Sequence, residues 1–281
     1  MRFQVFTEMA YDIRAESTVL YNIHALDTAH QQVIAESFTV TPFLEAVELH
    51  SNGVENRFFR VSIPEPGSIT VRYNAEVQNS CVQVELVSDD EISVSRLDAS
   101  ILPYLYPSRY CQSDKLYRFA QHNFGQIKGS FAKATAVTNW IFTNVKYTGR
   151  FTTSQTSAYD TVTELVGVCR DFAHLGIALC RALSIPARYF TAYAIDLRPG
   201  DIHACFEAYL FDQWVLFDPT FLVPLNGMVK IGTGRDAADA SIATMFGDMN
   251  FKSMKVDCKI VDAEFLPLPA GCLVNAMVIY S

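Results

Sequence analysis

One stretch near the middle of the chain, residues 166–175, restricts the possible fold more than any other. It reads Val-Gly-Val-Cys-Arg-Asp-Phe-Ala-His-Leu, and Gly167 permits a tight entry into a helix that begins at Cys169. Apolar residues then recur every three or four positions, whereas the face that carries Cys169 continues with the small residues Ala173 and Gly176. The pattern predicts a buried helix that packs tightly against a neighbour, with a thiol in its first turn.

A thiol at the start of a helix differs chemically from one in a helix interior. The unpaired N–H groups and the partial positive charge of a helix N-terminus stabilise a thiolate, which is the nucleophilic form of cysteine. The alternative is that Cys169 is simply one of seven cysteines, because most buried cysteines are inert apolar residues. Helix placement alone leaves both interpretations open.

Two later segments contain the partners that a catalytic cysteine needs. His203 opens the segment His-Ala-Cys-Phe-Glu-Ala-Tyr-Leu, and Asp218 follows Trp-Val-Leu-Phe and precedes a proline. A nucleophile, a base and a carboxylate that orients the base form a catalytic triad, and Cys169, His203 and Asp218 are the candidates for these roles. The alternatives are a solvated histidine at a strand end and an aspartate that forms a turn. His174 is a competing base, but five helical residues after Cys169 it faces another direction.

The two segments predict a β-hairpin whose register decides whether His203 reaches Asp218. A four-residue loop at residues 210–213 places Cys205 opposite Asp218 and leaves His203 one diagonal step away, about 7–8 Å between backbones. A two-residue turn at residues 212–213 shifts the pairing and moves His203 out of reach. The sequence leaves both registers open, and the triad requires the wider loop.

The rest of the chain predicts an α+β protein with two domains. Residues 1–100 contain short segments of β-branched and aromatic residues separated by turns, which is typical of an antiparallel β-sandwich. Residues 101–281 contain helical periodicity before residue 183 and strand patterns after it. We therefore predict a β-rich N-terminal domain at 1–100 and, at 101–281, a domain in which the cysteine helix packs on an antiparallel sheet.

Two further helices are predicted before the cysteine helix. Ser113 starts the first, which Gly125 ends, and Ser130 starts the second, which carries an apolar stripe as far as Val145. The polar segment at residues 154–163 predicts a loop.

Composition narrows the possible partners. The net charge is −8 without a cluster of Lys or Arg, so neither a nucleic acid nor a membrane surface is expected as a partner. No stretch approaches the roughly 20 apolar residues that span a bilayer, and the N-terminus lacks the apolar core of a signal peptide. Seven cysteines without CxxC pairs predict reduced thiols and a cytoplasmic protein. No oligomeric state is predicted.

No cofactor or metal is expected. The sequence Gly-Thr-Gly at residues 232–234 lacks the order of a phosphate-binding loop. Cys169, His203 and Cys205 are not spaced like the ligands of a closed zinc site.

The motifs GVCRDFAHL, HACFEAYL and WVLFDPT together resemble the transglutaminase-like superfamily. The similarity covers roughly residues 102–224, and the preceding region resembles the β-rich N-terminal domain of bacterial members. The segments PSRY at residues 107–110 and GRDAAD at residues 234–239 fit the same bacterial subgroup. The resemblance implies a papain-like core. The usual HAW motif of the family is HAC here, so Cys205 replaces an aromatic residue beside the histidine.

The resemblance also implies an activity. Cys169 would be the nucleophile, His203 the base and acid, and Asp218 the orienting carboxylate. A thioester acyl-enzyme formed from a peptide or protein amide would be resolved by water in a cysteine protease or amidase, and by an amine in a transglutaminase. The backbone N–H of Cys169 would be one oxyanion donor, and the second is not identified by the sequence. A non-catalytic binding module on the same fold is the remaining alternative.

Overall fold

The computed structural model describes residues 1–49, 55–85, 91–149, 151–262, 264–269 and 276–280. The strands are β1 (Arg2–Ile13), β2 (Ser17–Tyr21), β3 (Gln31–Thr41), β4 (Ala46–Leu49), β5 (Phe58–Ile63), β6 (Gly67–Asn79), β7 (Val82–Glu85), β8 (Lys146–Tyr147), β9 (Val166–Gly167), β10 (Ala187–Ala194), β11 (His203–Leu210), β12 (Gln213–Phe217), β13 (Met228–Gly234), β14 (Ala243–Phe246), β15 (Met249–Ile260) and β16 (Ala276–Ile279). The helices are α1 (Ser113–Phe124), α2 (Ser130–Asn144), α3 (Ala158–Glu164) and α4 (Cys169–Ala182), with short 3₁₀ helices at Val94–Arg96 and Leu102–Leu105.

Two four-stranded antiparallel sheets form a β-sandwich. One sheet has the strand order β15-β1-β6-β3 and the other has the order β14-β2-β5-β4. Alternate residues of the long strands β1 and β6 are buried, as expected for strands with one face in a core. Between the sheets, Val5 and Val71 share a core with Val19 and Val61. The predicted antiparallel β-sandwich and the α+β class are confirmed.

A third sheet carries the hairpin segments. It has six strands in the order β13-β10-β11-β12-β16-β7, and α4 packs against β10 and β11 while α1, α2 and α3 surround α4. Every residue of α4 except Arg170 is buried. The predicted arrangement of a cysteine helix on an antiparallel sheet is therefore confirmed. Among the described residues, none of the helices has both the length and the apolar character needed to cross a bilayer.

The sheets connect the two predicted domains. Strand β15, from the last part of the chain, pairs with β1 along its length, so that Met254 lies opposite Met9. Strand β7, from the first hundred residues, pairs with β16 in the third sheet, where Val84 lies opposite Met277. Because each segment contributes a strand to the other's sheet, the sequence pattern alone does not mark where one unit ends. The boundary near residue 100 stays a prediction.

The predicted loop at residues 154–163 is wrong in its second half, where α3 begins at Ala158. The helix starts because Ser157 and Asp160 form a capping box: the Ser157 N–H donates to the Asp160 carboxylate at 2.9 Å. The polar composition of the segment concealed this start signal.

Gly176 allows α4 to approach the sheet. A Cβ atom at this position would lie 2.5 Å from the Phe206 ring, which is fully buried and stacks on Phe217 with the ring centroids 5.4 Å apart. The small face predicted for this helix thus lies against β11.

Gly176→Ala is expected to lower the free energy of unfolding. Helix propensity favours alanine by about 1 kcal/mol, but overpacking against a ring that cannot move aside costs about 1–3 kcal/mol. Urea denaturation of the variant and the wild type measures the difference. Gly149→Ala is the matched control, since its Cβ would meet Val168 at an ordinary 3.8 Å. A stabilised Gly176→Ala protein would contradict this account of the packing.

Candidate active site

Cys169 lies in the first turn of α4, where the sequence predicts it. The short parallel pair of β8 and β9 leads the chain into the helix, and Val168 is extended just before it. Asp171 anchors this entry, because its buried carboxylate accepts a hydrogen bond from the Val168 N–H at 2.9 Å. A Cβ at residue 167 would lie only 2.7 Å from the Asp171 Cβ, so glycine is needed there. The helix start is therefore fixed by close packing.

A second set of contacts connects the loop that contains Thr152 to the start of α4. The Thr152 hydroxyl donates to Asp171 at 2.6 Å, and the Arg170 guanidinium donates to Asp171 at 3.0 Å and to Thr152 at 2.9 Å. The Asp171 side chain is fully buried, whereas Arg170 is partly exposed. Together these groups hold the backbone around Cys169 in one conformation, which keeps its thiol and N–H in fixed positions.

The hairpin turn is tighter than the four-residue loop that the triad was argued to require. Leu210 pairs with Gln213, so the turn consists of Phe211 and Asp212 only. Both turn residues have positive φ, at 52° and 60°, as in the two-residue turns that match the twist of a hairpin. The triad therefore does not require the four-residue loop. A turn at residues 211–212 has no clear signal in the sequence, because Phe-Asp is not typical of two-residue turns.

The register of the hairpin is nevertheless the one that the triad requires. Phe206 pairs with Phe217, and the next position along places Cys205 opposite Asp218. His203 and Asp218 meet across this end of the hairpin, with His203 Nε2 at 2.9 Å from Asp218 Oδ2. Both side chains are fully buried. The tight turn at residues 211–212 thus gives the pairing that was expected from a wider loop.

The second oxygen of Asp218 is also occupied. Asp218 Oδ1 accepts hydrogen bonds from the Thr220 N–H at 2.9 Å and from the Thr220 hydroxyl at 2.7 Å. These bonds stabilise a buried carboxylate and fix its plane. Sequence reasoning missed Thr220, although a hydroxyl two residues after an aspartate is a common way to hold a carboxylate.

The groups around His203 favour the protonated form of its ring. Burial by itself lowers the pKa of its imidazole, but the neighbouring Cys205, Asp218 and Cys169 groups outweigh burial and raise that pKa well above the usual value. Because Nε2 faces Asp218, Nδ1 is the ring nitrogen left for other chemistry. It is buried, and the His203 ring also forms a hydrogen bond with the Cys169 side chain, which raises the pKa of the ring.

Cys169 and His203 line the same cleft, whose volume is about 850 Å³. Its walls come from the helix start, from β10 and β11, and from segments distant in sequence that include Tyr110 and Phe251. Phe251 lies on β15, so the sheet that contains the first strand of the chain also contributes to the cleft. The Cys169 thiol therefore borders an open cleft.

His174, the competing base, faces away from the cleft. It is fully buried, its ring stacks on Tyr110 with centroids 5.0 Å apart, and its Nε2 accepts the Ala237 N–H at 3.1 Å. Burial lowers the pKa of His174 well below its usual value, so the ring is neutral. The Tyr110 N–H in turn donates to the buried Asp236 carboxylate at 2.9 Å. The two segments that marked the bacterial subgroup, at 107–110 and 234–239, therefore contact each other.

Three buried side chains, His203, Cys205 and Asp218, have possible ligand atoms within 4.8 Å of one another. His203 Nε2 and both Asp218 oxygens are already used in hydrogen bonds, with each other and with Thr220. The geometry fits a hydrogen-bonded histidine and carboxylate better than a metal centre.

Comparisons with known proteins match both parts of the chain. Residues 1–100 match the family described as bacterial transglutaminase, N-terminal domain, and residues 118–219 match the transglutaminase-like superfamily. A crystal structure of a candidate cysteine protease from Cytophaga hutchinsonii is 46% identical, with a TM-score of 0.97, and the match covers 100% of this chain and 98% of that one.

Curated relatives are more distant. An uncharacterised protein from Mycobacterium leprae is 30% identical over 115 residues, which is 38% of this chain and 41% of that protein. An uncharacterised protein from Mycobacterium tuberculosis is 35% identical over 115 residues, covering 35% and 36% of the two chains. The chain thus spans less than half the length of these curated relatives.

Proposed function

Because the chain belongs to the transglutaminase-like superfamily, a family of cysteine-dependent enzymes, we propose that it is a cysteine hydrolase acting on peptide or protein amides. The observation that carries the proposal is the buried His203–Asp218 pair, 2.9 Å apart, beside a cleft that also contains the Cys169 thiol at a helix start. A protein that only bound a ligand would not need a buried imidazole that is hydrogen-bonded to a buried carboxylate and lies next to a thiol.

The chemistry follows from these three groups. The Cys169 thiolate attacks the carbonyl carbon, and the protonated His203 ring gives its proton to the leaving amine as the C–N bond breaks. The product is a thioester on Cys169 and a neutral ring. His203 then removes a proton from water, which attacks the thioester and releases the acid and the Cys169 thiolate, so the thiolate and the protonated ring are restored. Asp218 keeps the ring oriented and stabilises its charged form throughout.

Hydrolysis is favoured over acyl transfer by the Cytophaga hutchinsonii protein, which is described as a candidate cysteine protease and is 46% identical. The competing function is that of a transglutaminase, in which an amine takes the place of water. It is favoured by the match of residues 1–100 to the bacterial transglutaminase N-terminal domain. A cytoplasmic location, and the absence of nucleic-acid and membrane partners, stay predictions.

Competition between water and an amine tests the proposal. Peptides with an internal glutamine are incubated with the protein, with and without methylamine, and the products are identified by mass spectrometry. We expect cleaved or deamidated peptides in both cases and no methylamide, since water resolves the thioester. Cys169→Ala protein is the control for contaminating proteases. A methylamide as the main product would instead establish acyl transfer.

A further inference from the structure

The acylation step needs a second hydrogen-bond donor. Attack by the thiolate places a negative charge on the substrate oxygen, and enzymes of this kind hold that oxygen with two or more donors. The backbone N–H of Cys169 is one, because the first N–H groups of a helix have no acceptor within the helix. The other donor must lie beside this N–H.

The β8–β9 pair brings Tyr147 to this position. The Lys146 N–H donates to the Leu165 carbonyl and the Thr148 N–H donates to the Gly167 carbonyl, both at 2.8 Å. Tyr147 therefore lies opposite Gly167, two residues before the nucleophile. Two backbone hydrogen bonds thus fix the tyrosine backbone relative to the start of α4.

The ring of Tyr147 is held against the same helix turn. It packs on Phe172 with the ring centroids 5.6 Å apart, while 45% of the residue remains exposed. Its hydroxyl oxygen accepts a hydrogen bond from the backbone N–H of Cys169, and the hydroxyl also forms a hydrogen bond with the Cys169 side chain. Burial, followed by the nearby Cys169 sulfur, raises the pKa of the hydroxyl well above its usual value, so the group keeps its proton at neutral pH.

We propose that Tyr147 is the second oxyanion donor, whose hydroxyl and the Cys169 N–H together bind the substrate oxygen during attack by the thiol. The hydroxyl donates a hydrogen bond throughout the step and transfers no proton. In the free protein the hydroxyl oxygen accepts the Cys169 N–H, so it marks the place of the substrate oxygen. When the substrate oxygen takes over this N–H, the displaced hydroxyl donates a hydrogen bond to the same oxygen. This inference rests on the proposed function, because it assumes that Cys169 is acylated.

Two reactions of Cys169 separate this role from others. Acetylation by p-nitrophenyl acetate passes through an oxyanion, whereas alkylation by iodoacetamide does not. Tyr147→Phe keeps the ring and removes only the hydroxyl. We expect the rate of the p-nitrophenolate burst to fall by about 10²–10³-fold, while the rate of alkylation of Cys169 stays within about twofold of the wild type. Tyr159→Phe, at an exposed tyrosine on α3, is the matched control and should change neither rate.

Each other outcome overturns the inference. If the burst rate and the alkylation rate fall equally, the hydroxyl acts on the thiolate. If both rates are unchanged, the hydroxyl has no role. A faster burst would mean that the hydroxyl obstructs the cleft. Alkylation of Tyr147→Phe at the wild-type rate also verifies that the variant is folded. If the wild-type protein itself shows neither a burst nor fast alkylation, the proposed function fails instead, and the two failures are thus distinguished.

Discussion

Cys169→Ala is expected to lower kcat/KM for amide hydrolysis by at least about 10⁴-fold, because removal of a nucleophile leaves only binding and oxyanion stabilisation. Hydrolysis of the peptides described above, followed by mass spectrometry, measures the loss. The matched control is Cys180→Ala, which changes a buried cysteine on the same face of the same helix. Burial raises the pKa of the Cys180 thiol to about 12, so this residue cannot supply a thiolate at neutral pH.

Iodoacetamide labelling of the wild type gives an independent measure of the same property. The buried thiols of Cys111, Cys205 and Cys258 also have pKa values raised by burial to about 12, and Cys81 is shifted in the same direction. We therefore expect Cys169 to react much faster than these thiols below pH 7, and to lose that advantage in His203→Ala. Uniform slow labelling would support a non-catalytic binding module. Cys272 lies outside the described residues.

Asp218→Asn is expected to lower kcat by about 10⁴-fold, an effect of the size seen when the aspartate of a triad is replaced. The amide cannot accept from His203 in the same way and no longer favours the charged ring, so the proton donor for the leaving amine is lost. Asp212→Asn, at the exposed turn of the same hairpin, is the control and should retain full activity. Retention of activity by Asp218→Asn would remove the carboxylate from the mechanism.

The same variant has a characteristic pH dependence. Since the neighbouring groups raise the pKa of His203, the wild-type imidazolium persists well above pH 6.5 and is lost only as the pH rises through the raised value. Removing the Asp218 charge lowers that pKa. The alkaline limb of the kcat/KM profile should therefore move to lower pH in Asp218→Asn, measured on the residual activity. If the alkaline limb of Asp218→Asn lies at the same pH as that of the wild type, Asp218 does not control the protonation of His203.

Local patterns in the sequence were sufficient for several elements of this protein. The helical spacing of apolar residues predicted α4 and its start at Cys169. The alternation of side chains between two faces predicted the strand that opens with His203. These predictions succeed because helix and strand periodicities are set by neighbours a few residues apart. The helix start at Ser157 was missed, although its capping box is equally local.

Features that depend on long-range contacts could not be derived in this way. The segment around Tyr147 reads only as a short polar stretch, and its place beside Cys169 depends on pairing with residues 166–167. The sequence left the hairpin register open. The structure has the register that the triad requires, but with a two-residue turn at 211–212 in place of the four-residue loop. The exchange of strands between the first and last parts of the chain had no local signal at all.

The sequence by itself determined the chemical groups, their order along the chain and the helix that presents the thiol. Only the tertiary structure decided which groups meet: His203 with Asp218, Asp171 with the helix entry, and the Tyr147 hydroxyl with the Cys169 N–H. The physical reason is that periodicity and capping are properties of adjacent residues, whereas contacts between distant segments depend on strand pairing and close packing across the whole core.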